Sequence, residues 1–421
     1  MSSQATRVLN SQQDELDSSE VAERELCFRA FDARNCQFPA PRVPLLPRLT
    51  SVSIGLSTNR TFFPIVADTP YRFYSRGRYA LHEAYSRAGV GAQGALLVPA
   101  YHCRTMLDPA IRLNGRVILY PLDERLAPRI SSLARLIERS KTPVRALLLT
   151  HYFGFPQNSG ELHSFCQERG ITLIEDCSHA YFRHQNDGNL GKVGRFVVAS
   201  PYKFSPAEDG GVLIANQGAT DLPESPEMRG FSEQLRSVAR VVRKNLQDRF
   251  QPDSHAVDGK LAKSGPIDFA QGTESLLQAH QISAMYEPWV ENKSGLLLSR
   301  LIVQMSDADR IAEIRRANFK HWLHAVRGLP HCRPLFDELP EHVVPYMFPL
   351  YIEHHAPHFS ALKMLGMPIY RWDEMAVSEC PVSQDYRLHL LHLPCHQSLG
   401  QAEMDWMTGL VTKVMMEIQE S

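Results

Sequence analysis

The sequence has little of what would commit it to a membrane, a metal cluster or a nucleic acid. No apolar run reaches the ~18 residues that a spanning helix needs. The eight cysteines, at 27, 36, 103, 166, 177, 332, 380 and 395, stand singly. No CxxC pair and no ligand set with zinc spacing is present, so neither a disulfide framework nor a zinc finger is expected. An excess of one charge is also missing: 45 Lys and Arg against 46 Asp and Glu leave a net charge of −1. Such a balance gives no overall field for nucleic acid or an anionic membrane surface. The opening stretch, MSSQATRVLNSQQDELDSSE, is polar and has no apolar core of a signal peptide. A reduced, cytoplasmic protein acting on small molecules is the expectation that remains.

What is present is ordinary globular material. The chain has 421 residues, 43% of them hydrophobic and 22% charged, enough for two domains. From 74 to 216, apolar strands alternate with amphipathic helices. Helical spacing begins around Tyr74–Leu81 and stops at Gly89. Strands are expected over 95–100, 116–122 and 144–150, and helices over 105–113, 130–140 and 160–169. Near-continuous apolar strands between helices argue for a mostly parallel sheet buried on both faces.

The stretch Thr172 to Asn216 carries the chemistry. An apolar strand runs into Glu175 and Asp176, and a second, Phe196–Ala199, ends in Ser200 and Lys203. The turn Asp209-Gly210-Gly211 then leads into a third. A carboxylate and a lysine thus stand at neighbouring strand ends, the edge where open α/β sheets bind ligands. Taken alone, Asp176 reads equally well as a helix cap or metal ligand, and Lys203 as a surface lysine. Together they suit pyridoxal 5'-phosphate (PLP). A lysine amine bonds to its aldehyde, and a buried carboxylate keeps its ring nitrogen protonated so that the ring can accept electrons. Ser200 is placed to hold its phosphate, as are the amides at the helix start around Gly77 and Arg78.

Ile174-Glu175-Asp176-Cys177-Ser178-His179, with Lys203 lying 203 − 176 = 27 residues after Asp176 and before the Asp-Gly-Gly turn, resembles the DegT/StrS family of PLP-dependent aminotransferases. The resemblance is specific from Leu96 to Asn216 and extends more loosely from Tyr71 to the C-terminus. It implies an aspartate-aminotransferase-like α/β fold, with a seven-stranded large domain and a small α+β C-terminal domain. The expected divisions are an arm over 1–40, a large domain over 41–310 and a small domain over 311–421.

The resemblance implies catalytic roles for Lys203, Asp176 and His179, the last against the cofactor ring or its 3′ oxygen. Val98-Pro99-Ala100-Tyr101-His102-Cys103 resembles the segment whose aromatic residue stacks on that ring. Strict spacing puts Cys103 there, with Tyr101 or His102 as alternatives. His151-Tyr152-Phe153-Gly154 is expected to line the pocket, and His396 to lie at its rim or serve structure.

The implied activity moves an amino group from an amino acid, L-glutamate being the expected donor, to a keto acceptor such as a nucleotide-linked keto sugar of amino-sugar biosynthesis. A homodimer with shared sites is implied. Lys203 favours transamination, since relatives with His at that position act as dehydratases. Pro201-Tyr202 and the altered 77–81 segment depart from the family's pattern, so the acceptor could be another metabolite. Elimination or condensation on PLP, and a catalytically silent binding protein, are the competing readings. A basic run over 232–250 (Arg236, Arg240, Arg243, Lys244 and Arg249) is either a solvated helix or a surface for an anionic substrate.

Overall fold

Runs of Val, Ile and Leu that are apolar on both pleat faces can satisfy both faces only inside a layered α/β structure. The computed structural model shows this arrangement. It describes residues 26–31, 38–50, 55, 61–67, 69–186, 189–246, 274–278 and 281–418. Most of the expected N-terminal arm, and 247–273 of the polar stretch with Arg249, lie outside the described residues.

The main sheet has seven strands. Its spatial order is Tyr71–Tyr74, Gly211–Ala215, Phe196–Ala199, Thr172–Asp176, Val144–Thr150, Ala95–Pro99 and Arg116–Tyr120. Five neighbouring strands pair in parallel, and Gly211–Ala215 runs antiparallel to both its neighbours. Helices Gly77–Arg87, Arg104–Arg112, Ile130–Arg139 and Ser159–Glu168 make the connections. Strand Ala95–Pro99 is buried at every position, which is why its sequence shows no period-two alternation. The parallel strands end together at 99, 120, 150, 176 and 199, and their following loops form one rim.

The C-terminal part builds a second, three-stranded antiparallel sheet from Cys332–Pro334, Met347–Ile352 and Leu390–Pro394. It is backed by the long helix Ala308–Val326 and by Gln401–Glu417. A continuous apolar core runs from the main sheet into this one. Helix Pro381–His389 has no counterpart in the sequence reading. The segment 367–372, expected as strand or turn, makes one bridge, Tyr370 to His392.

Within the stretch expected to be peripheral, Cys27–Phe31 is the middle strand of a three-stranded sheet, paired with Glu274–Gln278 and Met375–Ala376. Phe28 is fully buried, with the Arg104 guanidinium 3.4 Å from its ring centre. No strand is expected from the sequence over 274–278. These residues are a strand because their hydrogen-bond partner lies some 250 residues earlier in the chain, beyond the reach of local periodicity.

Candidate active site

Helix Gly77–Arg87 begins on the rim. Its preceding residue, Arg76, is extended and makes no side-chain cap, and its first turn holds no acid. The first amides of the helix therefore face the cleft unfilled by the protein's own carboxylates, at the positive end of the helix dipole. Glycine at 77 leaves room for the Ser200 hydroxyl: a Cβ there would sit 2.5 Å from Ser200 Oγ and push it aside. Gly211 has a similar role, since its Cβ would lie 2.2 Å from the Arg76 carbonyl carbon. Ser200 Oγ donates to Ser178 Oγ at 3.1 Å. Ser75 Oγ and Thr150 Oγ1 are buried without hydrogen-bond partners. The start of the helix at Gly77, the Ser178 and Ser200 hydroxyls and Arg78 line one cleft, a donor set that fits the phosphate of PLP.

The strand Thr172–Asp176 separates its two carboxylates by pleat alternation. Asp176 faces the cleft, where its Oδ1 accepts from Ser178 N at 2.9 Å. Glu175 faces away. It accepts from His151 Nε2 at 3.0 Å and from the amides of Gly191, Val193 and Gly194 at 3.2, 2.9 and 2.7 Å. Burial opposes its charge, but His151 and these amides outweigh burial and hold Glu175 below the usual carboxylate range. His151 Nδ1 accepts from Gln157 N at 3.0 Å, so Nε2 carries the proton. His151, Tyr152 and Phe153 were expected to line the pocket; instead they pack behind it, where Phe153 N lies a long 3.5 Å from His179 Nδ1.

After Phe196–Ala199 the chain turns through a short 3₁₀ helix, Pro201–Lys203, and brings the Lys203 side chain into the same cleft. Arg315, fully buried, clamps this turn. Its guanidinium donates to the carbonyls of Lys203 (2.9 Å), Pro345 (3.1 Å) and Tyr346 (3.0 Å), and to Gln397 Oε1 (2.9 Å). Burial lowers its pKa to about 10, so it stays charged at neutral pH. Tyr346, held by the same guanidinium, lies 5.2 Å from Lys203 Nζ and stacks on His179 at 4.4 Å. Burial, followed by the charge of Lys203, pushes the His179 pKa well below its ordinary value, so the ring is neutral.

The three aromatic-segment candidates separate. Cys103 lines the cleft, with its thiol 3.1 Å from Thr105 Oγ1. Tyr101 does not line it; its hydroxyl pairs with His392 Nε2 at 2.8 Å. His102 is also turned away: Nε2 accepts from Ala376 N at 3.2 Å and Nδ1 lies 3.2 Å from Cys103 O. Instead, Trp372, from the C-terminal part, reaches the cleft and rests on the Tyr101 ring at 4.7 Å. Tyr202 lines it too, beneath the Arg76 guanidinium. No motif marked Arg315 or Trp372, which lie more than a hundred residues from Lys203. His396 is outside the cleft and binds Pro44 O, a structural role. A larger hollow of about 290 Å³ lies at the other end of strand Thr172–Asp176, against His163, Cys166 and Arg195. It lacks any comparable carboxylate–lysine set and sits away from the ligand-binding edge of the sheet.

Comparison with known proteins gives the same answer as the geometry. Residues 74–233 match the model of the DegT/DnrJ/EryC1/StrS aminotransferase family. The chain is 24% identical over 145 residues to GDP-perosamine synthase of Vibrio cholerae, covering 34% of this chain and 39% of that protein. It is 21% identical over 346 residues to dTDP-4-dehydro-2,3,6-trideoxy-D-glucose 4-aminotransferase of Saccharopolyspora spinosa, covering 79% and 81%. The Vibrio match thus spans about two fifths of the length of that relative. A DegT DnrJ EryC1 StrS aminotransferase from Brucella abortus superposes with a TM-score of 0.54 at 17% identity, over 82% of this chain and 85% of that one, which establishes the fold. The match covers every residue from the helix at Gly77 to the Asp-Gly-Gly turn, and over this part the chain is similar to the DegT/DnrJ/EryC1/StrS aminotransferase family.

Proposed function

We propose that the protein is a PLP-dependent aminotransferase, moving an amino group from an amino acid, L-glutamate first among donors, to a keto acceptor, a nucleotide-linked keto sugar or related metabolite. The observation that carries this reading is the convergence of Lys203, Asp176 and the amide end of helix Gly77–Arg87 on one cleft. Bound PLP supplies an aldehyde for the amine and a ring that takes up electrons from the donor's α-carbon.

The chain's residues do the rest. Lys203 supplies the amine that holds the cofactor and, once displaced by the donor, moves a proton at the reacting carbon. Asp176 would face the ring nitrogen and hold its proton in a charge-assisted hydrogen bond. Ser200, Ser178 and the amides of Gly77 and Arg78 hold the phosphate. The neutral His179 ring and the Trp372 indole supply flat walls, with Cys103 too small to serve as the stacking side chain. Arg315 fixes the Lys203 main chain, so that its side chain pivots from a fixed base.

The site is read as shared in a homodimer. Phe231, Leu297 and Leu301 are 78%, 50% and 50% exposed. Helices Phe231–Leu246 and Leu297–Gln304 adjoin, joined by Leu297 N to Gln234 Oε1 at 3.0 Å. An apolar surface of this kind fits a second copy of the chain. Within helix Phe231–Leu246, Arg240 pairs with Glu208 at 2.6 Å, which favours a structural reading of the basic run. The seven described cysteines are free thiols, which suits a cytoplasmic enzyme, and no described helix is long and apolar enough to cross a membrane. The division near residue 310, ahead of helix Ala308–Val326, is the domain boundary we favour.

The test is PLP binding followed by donor and acceptor screening. Wild type should bind PLP with a visible absorbance band, lose the band on adding L-glutamate, and regain it with an accepted keto sugar. Lys203→Ala should bind PLP without the band.

A further inference from the structure

We propose that the C-terminal part carries a divalent transition-metal site, of zinc type, built from His331, Glu353 and His354 with His358 as the fourth donor. None of these residues lines the cofactor cleft, and the site does not depend on the reading of that cleft.

The ligand atoms of His331, Glu353 and His354 lie within 4.8 Å of one another, and the His358 imidazole stands just outside that group, one helical turn on. The backbone sets this arrangement. Cys332 pairs with Ile352 across two antiparallel strands, and Glu353 N donates to His331 O at 2.9 Å just beyond. His331 and Glu353 therefore face each other at the strand ends, with Nδ1 3.1 Å from Oε2. His331 sits in the left-handed region, φ 60°, an unfavourable setting for a side chain of its size. His354 precedes helix His355–Met364, and His358 follows one turn on. Their rings are 5.5 Å apart, and they lie 4.8 and 5.8 Å from the His331 ring.

His358 supplies the second, independent observation. It is fully buried, and its Nε2 lies 3.1 Å from Ile418 O, a carbonyl that can only accept. Nε2 thus carries the proton, and Nδ1 presents a lone pair with no partner. A metal-binding imidazole is commonly arranged this way, its other N–H donated to a carbonyl. Three imidazoles and one carboxylate suit zinc in four-coordinate geometry. Zinc holds such donors at about 2.0–2.2 Å, so the set must draw inward. His331 and Glu353 can do so, since their side chains are 31% and 60% exposed.

The other His–Glu–Cys group among the described residues is unlike this one. At His151, Glu175 and Cys177, both imidazole nitrogens and both carboxylate oxygens are already engaged by the protein. A metal there would have to displace those bonds. At His331, Glu353 and His354 it would take the place of the single His331–Glu353 pairing and join the start of one strand, the end of another and the head of a helix.

The experiment uses the full-length, untagged protein stripped with a chelator and titrated with Co²⁺ and Zn²⁺. The proposal expects one equivalent of Co²⁺ per chain, with the intense visible absorption of a tetrahedral site, displaced by Zn²⁺. It also expects Zn²⁺ to raise the melting temperature. Because His358 is buried, the decisive variants are at the exposed positions. His331→Ala and Glu353→Gln should each weaken Co²⁺ binding by roughly tenfold or more, while His163→Ala, at the opposite hollow, leaves it unchanged. No Co²⁺ binding at one equivalent, or binding that survives both His331→Ala and Glu353→Gln, overturns the proposal.

Discussion

The guanidinium of Arg315 donates to the main-chain carbonyl of Lys203 at 2.9 Å, from a position with no solvent exposure. The same group holds the carbonyls of Pro345 and Tyr346. One buried cation therefore joins the lysine's turn to the aromatic residue beside its amine.

Replacing Arg315 with Met leaves these carbonyls and Gln397 without their donor. Hydrogen bonds to a buried charged group, and the acceptors stranded by their loss, amount to about 3 kcal/mol of stability. Denaturant unfolding should show that loss. The amine-transfer rate should fall further than PLP affinity, because the phosphate contacts remain while the pivot of Lys203 loosens. Equal losses in both would mean that Arg315 supports the fold only.

Gly77→Ala places a methyl 2.5 Å from the unsubstituted Ser200 Oγ position. The hydroxyl must turn away, and PLP affinity should drop by roughly tenfold, about 1.4 kcal/mol. Equilibrium dialysis with PLP measures this. Thermal stability should change little, since alanine suits a helix start. Gly211→Ala differs, because its methyl meets backbone at 2.2 Å. It should destabilise the fold by about 1–3 kcal/mol.

Three buried imidazoles predict acid sensitivity. Burial lowers His102 to about 4 and His392 to about 3, the latter helped by the charges of Lys203 and Arg371, and His179 lies well below its ordinary value. These rings stay neutral in the fold, while the unfolded chain takes up protons below about 6.5. Stability is therefore full above that pH and declines as pH falls towards the folded-state values. Each histidine contributes at most about 1.4 kcal/mol per pH unit across that window. Urea unfolding at pH 7 and pH 5 should show the decline, and His392→Gln should make it shallower. A pH-independent midpoint would contradict the assignment.

The exposed apolar side chains of Phe231, Leu297 and Leu301, on two adjoining helices, predict self-association. Sedimentation should give a dimer, and Leu301→Glu should shift it to monomer and lower the activity per chain. A wild-type monomer with full activity would remove the shared-site reading.

The sheet strands from 95 to 215 are legible in the sequence as short apolar runs and the helices between them by their 3.6-residue period, both local signals. The site is legible to the extent that it follows strand ends: Asp176, Ser200 and Lys203 each stand where an apolar run stops. Pleat alternation separates Asp176 from Glu175, but only the structure tells which of the two meets the cleft. The same limit applies at Tyr101, His102 and Cys103, consecutive residues pointing in different directions after a strand ends. Trp372 reaches the cleft, and Arg315 the Lys203 turn, through tertiary packing, which leaves no trace in local spacing. Strand Glu274–Gln278 is invisible for a related reason, since its partner Cys27–Phe31 lies at the other end of the chain.

The most direct test of the central claim is the absorbance spectrum of PLP-loaded wild type and Lys203→Ala, before and after adding L-glutamate. The account predicts a visible band that requires Lys203 and that glutamate discharges. Absence of that band in wild type, or the same band in Lys203→Ala, would contradict it.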